Sequence, residues 1–371
     1  DSDNEESLSQ SKRRRKTLGN KLEEKKQQLL AKHPLQVVMT LKFKDGSVLT
    51  LSFAFLTSLQ IVTVAVSLQP SASAMASPYA KDLLSSDNLL SCLRPGDTGL
   101  VSPNSSNAYQ FSKLGMESMS TYIGQTGFPY RWAQWLAGMD FLPEDGRETR
   151  AVTAVSTSHM ESTLKALRSR TRARLTLTKQ LVSLERNAVP VPAQSMALFP
   201  AKITARLTSW KMITKEEFQS LAFLRDSSAL ELVDDYSYFY LATCARGSAI
   251  LKAAILVSVD YPQCPPHIVV GVTLTGEHNH SNDNDIRDLE SELNLHCMEL
   301  VTETSHDYLL SNQMQRLLMC FDVFVEAKGE GDGAEGPTEF AREKMFIRLT
   351  RGRGRSKPYR YNPQYRYFIQ R

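Results

Sequence analysis

The chain is poor in the residues from which covalent and metal frameworks are built. Its five cysteines, Cys92, Cys244, Cys264, Cys297 and Cys320, are an odd, scattered set among 371 residues with no CxxC pair. That argues against a disulfide framework and a zinc ribbon, and points to a reducing compartment. No Walker A, GxSxG or HExxH string is present, so nothing in the sequence supports an ATPase loop, a nucleophile elbow or a zinc-protease helix. Long uninterrupted apolar runs are also missing. The nearest, Leu51 to Leu68, is broken by Ser52, Thr57, Ser58, Gln60, Thr63 and Ser67. Its Ile61, Val62, Val64 and Val66 favour strands, so it reads as two strands rather than a membrane span.

What is there is enough for two or three domains with ordinary cores, since 42% of the residues are hydrophobic. The net charge of +4 hides an uneven distribution. Residues 351–371 carry seven Lys/Arg and no acid, and residues 1–16 carry five bases against four acids, which leaves the body between them mildly acidic. The acidic, serine-containing run opening at Asp1 is expected to continue from an upstream N-terminus. Lys12, Arg13, Arg14, Arg15 and Lys16 are contiguous cations between that run and the first helical pattern. Such a cluster reads as a nuclear-import signal or phosphate-binding patch, or as a solvated charge run closing a linker.

Thr17 followed by Leu18, Leu22, Leu29 and Leu30 predicts an amphipathic helix ending by His33, because Pro34 disfavours helical geometry before it. Three strands should follow. Val37, Met39, Leu41 and Phe43 alternate with polar residues, Lys44 to Ser47 supply a tight turn, and Leu49, Leu51, Phe53 and Phe55 resume the period of two. After a third strand, Gln60 to Leu68, come a Ser/Ala/Pro loop, a short helix near Lys81 to Cys92, a loop to about Asn107, and a helix with Tyr130, Trp132 and Trp135.

A polar stretch, Pro143 to Thr157, marks a first boundary. The longest helical pattern, His159 to Arg186, then places Met160, Leu164, Leu167, Thr171, Leu175, Thr178 and Leu181 on one face. Lys165, Arg168, Arg170, Arg172, Arg174, Lys179 and Arg186 occupy the other, where they serve nucleic acid, solvent or an acidic partner surface. Beyond Pro190 and Pro192 the order helix, meander, helices repeats. Strands are expected at Ile203 to Ile213, Tyr238 to Ala245, Ile250 to Val259 and His267 to Thr275, with Arg246 to Ser248 as a turn. The run Glu277 to Asp285, including His278 and His280, reads as a loop and helix cap, with a metal site as the alternative. Helices at Ile286 to Cys297 and Leu309 to Val325 close the unit.

Between the third and fourth strands of this unit lies Tyr261-Pro262-Gln263-Cys264-Pro265-Pro266. Three prolines fix three φ angles and remove three donors, so the segment must be a rigid connection. Tyr261, Pro262, Pro265 and Pro266 at this point in a meander resemble the signature of RWD domains, which share the ubiquitin-conjugating-enzyme architecture without its active cysteine. The first unit lacks the motif and reads as a degenerate RWD by element order. Cys264 precedes the position where a conjugating enzyme's nucleophile would fall. No His-Pro-Asn and no neighbouring base accompany it, so no catalytic role is assigned and no cofactor is expected.

A Gly/Glu/Asp linker near Gly329 to Gly336 precedes a segment, Glu343 to Leu349, that can add one more strand. The last residues interleave Arg351, Arg353, Arg355, Lys357, Arg360 and Arg366 with Tyr359, Tyr361, Tyr365, Tyr367 and Phe368. Cations that track phosphates beside rings that stack on unpaired bases suit single-stranded RNA. The other reading is a tail folded onto its own domain or anchored in a protein partner.

Together these patterns give an α+β protein of two tandem RWD-like domains, each an antiparallel meander packed with helices. A charged leader spans 1–16, the first domain 17–150, the long helix and second domain 158–328, and a C-terminal extension 340–371, the tails being flexible and charged. Eight strings in order, among them Leu90 to Asp97, Ser158 to Glu161, Leu198 to Lys202, Ser281 to Arg287 and Lys357 to Asn362, resemble the C-terminal half of the THO complex subunit 5 family. The resemblance implies a nuclear scaffold of the THO/TREX assembly, which couples messenger RNA transcription and processing to export. It also implies contacts with other THO subunits and the messenger RNA export receptor, without a membrane. The family's coiled-coil half, which pairs with subunit 7, is not in this sequence.

Overall fold

The computed structural model describes residues 19–72, 77–139, 157–274, 279–281, 283–328 and 357–371. Two compact units result, one of residues 1–76 and 80–171, the other of 77–79 and 172–371. The division falls inside a single long helix.

In the first unit, helix α1 (19–29) leads into an antiparallel meander of β1 (Lys32–Lys42), β2 (Val48–Leu56) and β3 (Ile61–Gln69), in that spatial order. The expected turn is present: Phe43 N–H donates to Ser47 O at 2.9 Å, and Gly46 takes φ +88° at its tip. Alternation decides the buried face. Leu41, Leu49, Leu51, Val62 and Val64 pack against Trp132 and Ala133 of α2 (Arg131–Leu136) and Leu167 of α3 (Thr157–Glu185). The Gln134 side chain closes the outer edge of β3, accepting from Val62 N at 2.8 Å and donating to Val62 O at 2.6 Å. Phe128 bridges to Val64 beside it. The approach requires Gly127, whose φ is +90° and where a Cβ would come within 3.0 Å of the Val64 backbone. The expected helix near Lys81 to Cys92 is two short ones, Ala80–Leu83 and Ser86–Leu90, the second capped by Ser85.

The second unit holds a five-stranded antiparallel sheet in sequence order: β4 (Arg206–Ile213), β5 (Tyr238–Arg246), β6 (Ala249–Val257), β7 (His267–Thr273) and β8 (Asn279–Ser281). Four of these strands were expected. The fifth corrects the reading of Glu277 to Asp285 as loop and cap: Asn279 to Ser281 pair with Thr273 to Gly271, and the cap is confined to Asp283, which accepts from Ile286 N at 2.8 Å. Between β4 and β5, α4 (Lys215–Ser220) starts with a capping box of Thr214 and Glu217 that the sequence reading passed over. Helices α5 (Asn284–Asn294) and α6 (Leu309–Lys328) follow. Where β7 runs past β8, side chains of α5 take over as edge partners. Asn294 bonds Ile268 N and O, and Glu290 accepts from Val270 N at 2.8 Å.

Arg246 is not a turn residue. It ends β5 with 4% of its surface exposed, donates to Asp322 O at 2.6 Å and pairs with Glu326. Asp322 in turn accepts from Thr204 and Ala205 N–H at 2.8 Å each, tying the entry of β4 to α6. Burial still outweighs these partners and lifts the Asp322 carboxyl to about 6.

The tail is a further correction. Residues 357–371 are a small hairpin of β9 (Arg360–Asn362) and β10 (Tyr367–Ile369), not a flexible extension. Tyr359 and Phe368 are 2% and 1% exposed, the burial of one such ring being worth about 2 kcal/mol.

Candidate functional site

The proline corner is built around one hydroxyl. The Tyr261–Pro262 peptide is cis, and the Tyr261 ring is buried. Its hydroxyl donates to Asp307 O at 2.7 Å, accepts from Leu310 N at 3.1 Å, and lies 3.4 Å from Gln180 Nε2. Gln180 also donates to Asp307 O at 2.8 Å and accepts from Ser311. The corner thus fastens α3 and the start of α6, whose first N–H groups have no helical acceptor. Burial pushes the Tyr261 hydroxyl above its usual range. Pro262, Pro265 and Pro266 hold the chain that carries it, and Pro266 O accepts from Gln313 at 2.9 Å. Cys264 is exposed on this connection.

The cations of α3 are largely taken up within the protein. Arg170 donates to Ser91 O at 2.5 Å and Cys92 O at 3.1 Å. Arg172 pairs with the Asp307 carboxylate at 2.6 Å, and Lys165 with Glu161 at 2.7 Å. Arg174 is fully buried and donates to Val259 O, so its placement on a solvated basic face is corrected. A carbonyl at the mouth of the proline corner supplies its partner.

Within the hairpin, Lys357 lies 3.9 Å from Asp285, and Tyr359 O takes the Cys320 thiol at 3.9 Å. The Tyr361 ring tilts against Phe368 at 5.2 Å. Tyr365 and Tyr367 stack at 5.8 Å, and Tyr365 is exposed. Arg360 and Arg366 are exposed as well. Arg371 forks across Glu292 (2.6 Å) and Glu299 (2.8 Å) and holds the Glu299 carboxyl down at about 2. A cavity of about 540 Å³ opens between this hairpin and the 191–201 segment, lined by Phe199, Tyr361, Pro363 and Arg366 among others. Lys12 to Lys16, Arg351, Arg353, Arg355, His278 and the Glu343 to Leu349 segment lie outside the described residues. His280 bonds Asp283 at 2.9 Å and meets the Phe324 ring edge-on. Among the described residues no group of three or more His, Cys, Asp or Glu could hold a metal ion, and no helix is long and apolar enough to cross a membrane.

Sequence reasoning missed an apolar cleft in the first unit, about 270 Å³, walled by Val37, Met39, Phe53, Phe55, Leu136 and Met160. Its signal was in the letters: Pro34 to Leu41 carries no charge, and Leu35, Val37 and Val38 are 78%, 68% and 60% exposed on an edge strand that ordinarily would bear charges.

The Fms-interacting protein/Thoc5 family profile matches residues 1–141. The chain is 42% identical over 359 residues to the THO complex subunit 5 homolog of Mus musculus and equally to THO complex subunit 5 of Homo sapiens, covering 96% of this chain and 53% of each relative. Against THO complex subunit 5 of Drosophila melanogaster the identity is 25% over 341 residues, 90% of this chain and 53% of that one. The chain spans about half the length of the curated relatives it matches, and over that span it belongs to the Fms-interacting protein/Thoc5 family.

Proposed function

We propose that this chain is a non-enzymatic scaffold of the nuclear THO complex, built from two tandem RWD-like modules that dock other subunits. The observation that carries the proposal is the 42% identity over 96% of the chain to proteins named as THO complex subunit 5. The architecture is consistent with it. The Tyr261 corner, between the third and fourth strands of a meander, fastens the long helix to the start of α6. The apolar cleft and the uncharged edge of β1 are features that protein partners cover. On this reading the partners are other THO subunits, including subunit 7, and the messenger RNA export receptor. The output is coupling of transcription and processing to export. Lys12 to Lys16 direct the chain to the nucleus.

Affinity capture of the tagged chain from nuclear extract tests the assignment: THO subunits are recovered together, and a co-purifying set without them refutes it. Replacing Lys12 to Lys16 by Ala shifts the tagged protein toward the cytoplasm; an unchanged distribution contradicts the import role.

A second reading is favoured by one observation, the exposed Tyr365 stacked on Tyr367 beside Arg360 and Arg366, which offers ring and cation together to single-stranded RNA. It predicts RNA affinity that falls steeply with salt and disappears on deletion of residues 351–371. No measurable binding disposes of it.

A further inference from the structure

Along the sheet of the second unit, side chains alternate between two faces. Tyr240, Ala242, Cys244, Leu251, Ala253 and Ile255 fill the inner one and are buried. The outer face is covered over half its extent, where Phe218, Leu224 and Ala229 pack on Phe239, Ala254, Leu256 and Val269. The other half is open on β4, β5 and β6, whereas on β7 the Phe223 side chain lies over Gly271; the register shows what this half carries. Ser209, Thr243, Lys252 and Gly271 form one row across four strands, and Arg206, Ala245, Ile250 and Thr273 form the next; on the other side, Lys211 and Leu241 begin the row that passes into the covered Ala254 and Val269. Arg206, Lys211 and Lys252 are exposed, and among the described residues none of the three side chains has a hydrogen-bonded or ion-paired partner. No Asp or Glu occupies these rows.

Spacing limits what this face can take. With strands about 4.8 Å apart and a rise of about 3.3 Å per residue, Lys252 stands roughly 12 Å from both Arg206 and Lys211. One small anion cannot bridge that distance, whereas alternate residues of an extended chain fall about 6.6 Å apart and residues i and i+4 about 13 Å apart. Uncompensated cations without a neighbouring acid raise the local potential and select a polyanion. The centre of the patch is Leu241, Thr243, Ala245 and Ile250, the last 43% exposed, with no aromatic ring for unpaired bases to stack on. That favours acidic polypeptide over single-stranded nucleic acid.

We propose that the open half-face of β4 to β6 docks an extended acidic segment of a partner polypeptide, with its carboxylates on Arg206, Lys211 and Lys252 and intervening apolar side chains on Leu241, Ala245 and Ile250. The proposal goes beyond the assembly reading and stands independently of it. The test is fluorescence anisotropy of a labelled twelve-residue peptide alternating glutamate and leucine, titrated with the full chain at two salt concentrations. Binding weakens with salt, and the combined Arg206→Gln, Lys211→Gln, Lys252→Gln variant loses at least tenfold in affinity. A control with the same charge change on the first unit, Lys42→Gln, Lys44→Gln, Lys113→Gln, stays within about twofold. Ile250→Ser, with every cation intact, weakens binding several-fold. Absence of peptide binding, or equal loss in both triple variants, overturns the proposal. So does a twelve-nucleotide single-stranded RNA that binds more tightly than the peptide and is lost in the same triple variant.

Discussion

Replacing Tyr261 by Phe removes one oxygen from the interior and leaves the ring. In the native protein that oxygen accepts from Leu310 N at 3.1 Å and donates to Asp307 O at 2.7 Å. The two losses differ in kind. Asp307 O keeps the Gln180 Nε2 donor at 2.8 Å, so it remains satisfied. Leu310 N–H, in the first turn of α6 and on a residue with no exposed surface, loses its acceptor. An orphaned buried donor costs about 1–3 kcal/mol and a satisfied net bond about 1 kcal/mol, so Y261F should destabilise the second unit by about 2–4 kcal/mol. Tyr359 is the internal control, because its hydroxyl is equally buried and has no hydrogen-bond partner among the described residues. Removing an unpaired buried hydroxyl returns its desolvation cost, so Y359F is neutral or stabilising by up to about 1 kcal/mol. Urea denaturation followed by tryptophan fluorescence, with Trp210 as the reporter inside the second unit, separates the two. Equal effects of the two substitutions would refute the view that the Tyr261 hydroxyl, rather than ring packing, secures the corner.

Burial lifts the Glu290 carboxyl from 4.5 to about 7 although it accepts from Val270 N–H. A raised carboxyl contributes fully below its unfolded pKa, and that contribution is lost as pH rises through about 7. Glu290→Gln keeps an acceptor for Val270 and should therefore be more stable than wild type at pH 8 by on the order of 1–3 kcal/mol, and equal to it near pH 4; parallel pH profiles of the two urea midpoints would contradict this. Glu299 is shifted the other way by its hydrogen bonds to Arg371, so its contribution is present above about pH 4.5 and lost as pH falls through about 2. Arg371→Ala should return the Glu299 carboxyl toward its ordinary range in a carbon-detected NMR titration, and an unmoved titration would show that Arg371 does not hold it. Arg174→Met removes a buried cation that donates to Val259 O while leaving its stem in place, and should lower the thermal midpoint of the second unit by several degrees. An unchanged midpoint would show that the charge is dispensable.

The strands of the first hairpin were legible because apolar residues recur at every second position: Leu41, Leu49 and Leu51 are buried while their neighbours are not. The long helix was legible for the same reason at the helical period. Its cations were less so, since a single arginine on a polar face gives no sign that a carbonyl such as Val259 O will meet it in the interior. Arg246 was hidden likewise, because its acceptors on α6 lie some 76 and 80 residues away. The three-residue strand at Asn279 is too short to show a period, and the tail's alternating Arg and Tyr conceal that Tyr359 and Phe368 face inward. The cationic half-face could not be read at all from spacing. Arg206, Lys211 and Lys252 come together only through the register of β4, β5 and β6.

The central claim is that this chain is a scaffold subunit, and stoichiometric assembly tests it most directly. Co-expression with the remaining THO subunits, followed by size-exclusion chromatography with mass detection, should place the chain in the complex at a fixed ratio that survives dilution. Elution of the chain alone, with the other subunits assembled without it, would contradict the account.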